Sequence, residues 1–198
     1  MKRNTISTIP LESSFLSFEK DIETILKLLF VQSNPHSEAL KRLLVIETKD
    51  CLDNTTSQVY QKVLEETSLA KLIKKGYIRL NPKIRMSEHE EVKSYIIISC
   101  DNFIPNATNP YYRDYTITFD IISHLDYWDI GDYRIRPIKI VGYIDGLLNN
   151  IKLSGIGQLN FLGCNELVLN EDLAGYSLSY RTVHGNDDRL PPKDIDNE

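Results

Sequence analysis

From residue 13 onward the chain sets apolar side chains at spacings of three and four. In SSFLSFEKDIETILKLLF, Phe15, Phe18, Ile22, Ile25, Leu26 and Leu29 fall on one stripe of an amphipathic helix. Ser13 or Ser14 can cap its start, and SNP at 33–35 ends it. HSEALKRLLVIE predicts a second helix with Leu40, Leu43 and Leu44 inward. TTSQVYQKVLEETSLAKLIKK predicts a third, with Val59, Val63 and Leu64 on one face, then Leu69, Leu72 and Ile73. Gly76 follows its basic last turn, where a C-terminal glycine belongs.

The period then changes from helical to alternating. SYIIISC (94–100) and DYTITFDIIS (114–123) are rich in β-branched and aromatic residues. In the second, Tyr115, Ile117, Phe119 and Ile121 alternate with Thr116, Thr118 and Asp120, as a strand with one buried face requires. Between them DNFIPNATNPYYR, with two prolines and three asparagines, reads as a long loop. Strands adjacent in sequence usually pair, so these two are expected to be neighbours.

RPIKIVGYIDGLLNN returns to helical spacing, with Pro137 at a first helical position and Ile140, Val141, Ile144, Leu147 and Leu148 in one stripe. Gly142 and Gly146 lie four apart, and the expectation is that this helix packs tightly on the sheet through them. QLNFLGCNELVLN and AGYSLSYRTVH read as two further strands joined by EDLAG. In the second, Tyr176, Leu178 and Tyr180 alternate with Ser177, Ser179 and Arg181. The final 14 residues, GNDDRLPPKDIDNE, are polar and acidic and read as a tail. The pattern predicts an α+β fold. An antiparallel sheet of four or more strands is covered by helices, with a helical region at 1–76, a core at 77–184 and a tail at 185–198.

Composition narrows the function classes. The 198 residues carry a formal charge of -5, which argues against a nucleic-acid binder working through clustered Lys and Arg. KLIKKGYIR and RIRPIK are locally basic but short, and read as solvated faces. Cys51, Cys100 and Cys164 are widely spaced and lack zinc-ligand spacing, which suits free thiols in a reducing compartment. MKRNTISTIPLESS has two basic residues with no apolar run behind them, so no secretory signal is expected. No apolar stretch reaches the roughly 18 residues of a membrane span.

KLSGIGQLNFLG, with Gly155, Gly157 and Gly163, invites comparison with a phosphate-binding loop. A dinucleotide fingerprint needs G-x-G-x-x-G after a strand and before a helix. Here the third glycine is misplaced, a helix precedes and a strand follows, and no Gly-Lys-Ser/Thr ending is present. The stretch reads as a helix-to-strand turn, with Gly163 a bulge or close-approach point. His124, Asp126, Asp129 and Asp132 in SHLDYWDIGD miss the calcium-loop pattern and read as a solvated or interface loop. No nucleophile stands in a catalytic motif, so no catalytic, cofactor or metal site is expected.

Eleven tyrosines accompany one tryptophan, and several of these rings cluster with arginines in NPYYRDY and DYWDIGDYRIR. Tyr and Arg are favoured where proteins meet. The interface candidates are Tyr111, Tyr112, Arg113, Tyr127, Trp128, Tyr133, Arg134 and Arg136.

The order from 94 to 184 is strand, long loop, strand, acidic-aromatic loop, helix, glycine turn and two strands. With NPYYRDYTITFDIISH and RPIKIVGYIDGLLNN, it resembles the tail terminator (tail completion) proteins of long-tailed bacteriophages. The resemblance covers the C-terminal half plus an upstream helix, and the helical first third departs from the compact members. It implies a non-catalytic virion subunit that forms a ring, usually of six copies, at the head-proximal end of the tail. Such a ring stops tube polymerisation, meets the tail tube protein on one side and the head connector or neck protein on the other, and lets DNA pass through its lumen. The alternatives are another neck or head–tail connector component, a monomeric adaptor acting through the aromatic loops, or a small nucleotide-binding enzyme using Gly155 and Gly157. No residue role carries over from the family; from their place among the aromatic loops, replacing Arg134 and Arg136 together is expected to impair ring formation or docking without unfolding the subunit.

Overall fold

The computed structural model describes residues 18–53, 58–65, 67–80, 94–108, 112–153 and 156–184. Phe15, the Ser13/Ser14 cap and the tail at 185–198 lie outside the described residues.

Helix α1 (Phe18–Phe30) turns Ile25, Leu26, Leu29 and Phe30 inward, following the predicted stripe. Helix α2 (Pro35–Val45) opens where Asn34 accepts a hydrogen bond from the Ser37 amide at 2.8 Å, with Pro35 in its first turn. The single third helix expected over 55–75 is two helices, α3 (Gln58–Glu65) and α4 (Leu69–Lys74). Hydroxyls supply the reason for the break. Thr67 Oγ1 donates to the Val63 carbonyl at 2.6 Å, and extended Ser68 accepts from the Lys71 amide to start a new helix.

The main sheet has the order β1 (Ile78–Arg79), β2 (Ser94–Pro105), β3 (Arg113–His124), β7 (Leu173–His184), β6 (Asn160–Val168). It is mixed, because the short β1 runs parallel to β2 while the other pairs are antiparallel. The two expected strand pairs, β2–β3 and β6–β7, both form. The loop expected over 101–113 is shorter, because β2 continues to Pro105. A register break between Asp101 and Ile104, with Asn102 at φ 54°, absorbs the polar residues as a bulge.

Alternation sorts the sheet faces. Ile96, Ile98, Tyr115, Ile117, Phe119, Ile121, Leu178 and Tyr180 join the apolar side chains of α1, α2 and α5 (Arg136–Leu148) in one core. That core draws on the helical first third and the sheet alike. A smaller cluster of Tyr95, Ile97, Ile122 and Leu173 occupies the other face.

After α5, a small hairpin of β4 (Lys152–Leu153) and β5 (Gly157–Gln158) returns the chain to the sheet. Gly157 stands at φ +78°, a left-handed position that explains its glycine. Gly155 lies outside the described residues. Gly163 marks a register break in β6, the bulge expected of it.

The expectation for Gly142 and Gly146 is overturned. Both face outward from α5, and a Cβ placed on either would have no neighbour within 4 Å, so neither mediates packing on the sheet. Ile140, Ile144 and Leu148 make that contact instead. Close approach occurs at Gly175, where a Cβ would fall 1.7 Å from the Ile121 carbonyl oxygen.

Candidate functional site

The acidic-aromatic segment follows β3 as a 3-10 turn over Leu125–Tyr127 and a loop that leads into α5. His124 Nδ1 accepts from the Asp126 amide at 3.3 Å and starts the turn. Beyond it, Gly131, Asp132 and Tyr133 take φ of +80°, +49° and +59° in succession. Left-handed backbone is unfavourable for side chains beyond Gly, Asn and Asp, and a tyrosine there is held by its surroundings.

Several bonds do the holding. The Gly131 amide donates to Asp129 Oδ1, Arg134 N donates to the Gly131 carbonyl, and Ile130 N to that of Arg134, at 2.9–3.1 Å. Arg134 clasps Asp53 through Nη1 and Nη2 at 2.7 and 2.6 Å, a two-point geometry that a guanidinium favours. Lys49 Nζ meets Asp129 Oδ2 at 2.6 Å. The Arg134 contact holds the Asp53 carboxyl below its ordinary range, and the Lys49 bond does the same for Asp129. The loop is thus tied to the segment after α2, and Tyr133 stands at its apex, fully exposed.

The candidate interface residues meet different fates. Tyr133 is on the surface. Tyr127 and Trp128 are half-buried; Trp128 Nε1 donates to the Ser123 carbonyl at 3.2 Å, and its ring lies against Tyr176. Tyr112 and Arg113 are half-buried beside the β2–β3 loop. Tyr111 lies outside the described residues. Arg134 is half-buried and spends its guanidinium within the chain.

Arg136 is corrected: it is 1% exposed and opens α5 rather than standing in a loop. Its guanidinium donates to the carbonyls of Leu43, Ile46, Glu47, Thr48 and Tyr127 at 2.6–3.2 Å. It therefore pairs carbonyls at and just beyond the C-terminal end of α2, some of which a helix end otherwise leaves unpaired. Burial lowers its pKa from the usual arginine value, yet an arginine starts so high that it stays charged. The expectation that Arg134 and Arg136 can be replaced together without unfolding falls with this.

His124, Asp126, Asp129 and Asp132 each have separate local tasks, and no group of three His, Cys, Asp or Glu among the described residues could hold a metal ion.

One polar cluster escaped sequence reasoning. Asp21 on α1 and His184 at the end of β7 are both buried, and Tyr115 donates to Asp21 Oδ2 at 3.5 Å. Phe18 caps the group edge-on to both Tyr115 and His184. A signal existed: Asp21 occupies a position three beyond Phe18 and four before Ile25, on the apolar stripe itself. A buried carboxylate there calls for a partner.

The family model that matches this chain is YomW, over residues 37–182. The chain belongs to the YomW family. The YomW family is phage-derived, so the phage origin implied by the terminator resemblance is shown. The YomW match begins in the first turn of α2 and ends in β7, so it takes in the whole sheet, α5 and the loop bearing Tyr133. Neither a curated protein nor a solved structure matches the chain.

Proposed function

We propose that this YomW-family chain is a structural virion protein, assembled in the host cytoplasm into a ring at the head-proximal end of a phage tail. The ring, of six copies, ends tube polymerisation and gives the head connector a docking face. DNA passes through its lumen without specific binding, which an acidic subunit of charge -5 tolerates. The observation that carries this reading is the loop at 125–135 in a chain of phage origin: a rigid, pinned segment that offers an aromatic side chain outward. Rigid aromatic anchors are what protein interfaces use most effectively. The α+β architecture, with helices over one face of a largely antiparallel sheet, agrees with the terminator resemblance. The geometry of Gly157, in a two-residue strand of a small hairpin, supports a backbone role for that glycine over a phosphate cradle.

The test is a phage lacking this gene together with electron microscopy of the purified protein. Rings in solution, and overlong tails detached from heads in the mutant, are expected. A protein that stays monomeric at all concentrations, with normally joined tails in the mutant, overturns the reading.

A further inference from the structure

Tyr133 has no structural reason to be where it is. Its ring is wholly exposed, while its backbone holds an unfavourable left-handed conformation at φ +59°. The Arg134–Asp53 and Lys49–Asp129 pairs keep the loop in that shape. A preorganised side chain loses little freedom on binding, so such a loop suits a partner with a matching recess.

A recess of suitable chemistry lies on the same chain. On the outward side of α5, His36, Ile138, Lys139, Gly142, Tyr143 and Gly146 line a groove of about 440 Å³. The two glycines leave its floor open, and the His36 and Tyr143 rings, 5.8 Å apart, form a wall. Charge is complementary as well: Lys139 borders the groove, and the exposed carboxylate of Asp132, 3.3 Å from Arg134, adjoins Tyr133 in the chain. A lysine beside a tyrosine ring adds a cation–π attraction.

We infer that Tyr133 of one copy seats in the α5 groove of a second copy, over Gly142 and Gly146. Tyr133 is wholly exposed in its own chain, so its ring is available to another subunit. Knob and recess are different surfaces, so the contact is heterologous and can repeat around a closed ring. It names the joining surface for the ring reading and rests on that reading for its closure, while the pairwise contact is tested by itself.

The experiment mixes full-length Asp132→Cys and Ile138→Cys copies, which keep both the Tyr133 ring and the groove glycines, under mild oxidation, with each variant alone controlling for the native Cys51, Cys100 and Cys164. A disulfide between the two kinds of copy is expected. Separately, Tyr133→Ala and the groove-filling pair Gly142→Leu with Gly146→Leu are each expected to weaken self-association at least about tenfold with native circular dichroism. Rings that form without the crosslink, or association unmoved by these variants, overturn the contact and leave the ring reading standing. A crosslink confined to a two-copy species supports the contact and overturns the ring. A protein that is monomeric throughout overturns both.

Discussion

Asp21 and His184 stand 163 residues apart in the chain, yet Asp21 Oδ2 and His184 Nδ1 share a hydrogen bond of 2.5 Å in the interior. This pair fastens the first described helix to the last strand of the sheet. Removing the Asp21 carboxylate takes a buried partner from both His184 and Tyr115, at a cost of about 1–3 kcal/mol. Asp21→Ala is expected to lower the urea midpoint accordingly, with the slope of the transition unchanged. A midpoint within error of the parent would mean that the pair contributes nothing to stability.

Arg136 ties α5 to the end of α2 through four carbonyls and holds a fifth, that of Tyr127, in the turn before α5. Arg136→Met leaves those acceptors without their donor and is expected to cost at least about 3 kcal/mol. Arg136→Lys rescues little, because one ammonium cannot span the same set. Thermal unfolding of both variants checks this, and a full rescue by lysine would refute the shared-carbonyl account.

Two glycines predict opposite signs. Gly175→Ala drives a methyl into the Ile121 carbonyl and is expected to destabilise by more than about 2 kcal/mol. Gly142→Ala, on an exposed helix position with open space above it, is expected to stabilise by about 0.5–1 kcal/mol. Denaturant titration of the two variants side by side decides between packing and propensity at each site.

Acid should loosen the Tyr133 loop before the core. The carboxyls of Asp53 and Asp129 have folded pKa values below their unfolded ones, by virtue of Arg134 and Lys49. Such groups stabilise the fold above their unfolded pKa of about 4 and lose that contribution as pH falls through the folded value. Amide resonances of 129–135 are therefore expected to broaden or shift below about pH 4, and sooner at high salt, which screens exposed pairs. Asp53→Asn should show the loosened loop at neutral pH already.

Cys100 is an inert thiol by this structure. Burial pushes its pKa up to about 12, so almost no thiolate forms at pH 8. Alkylation at pH 8 should therefore be much slower at Cys100 in the native protein than in the urea-unfolded chain. Rapid labelling of the native protein at this residue would contradict it.

The helix stripes and strand alternations were readable because burying one face imposes a period on the sequence, and Ile25, Leu29, Ile117, Phe119 and Leu178 obey it. The break at Thr67–Ser68 was written in hydroxyl side chains, whose capping competes with the apolar period that suggests one helix. Arg136 looked like surface because charge normally is, and a run of local sequence holds no record of carbonyls some 90 residues away.

The sequence by itself determined the α+β class, the order of the long helices and strands and the inward faces of α1, α5, β3 and β7, since each follows from periodicity within a few turns or pleats. By composition it also singled out the acidic-aromatic segment as a candidate recognition surface. Only the tertiary structure decided which of those residues face out, that Tyr133 is held in a left-handed bend by Asp53 and Lys49, and that Asp21 meets His184. Those outcomes depend on partners distant in the chain. Their free energy comes from juxtaposed charges and buried donors that no local pattern encodes.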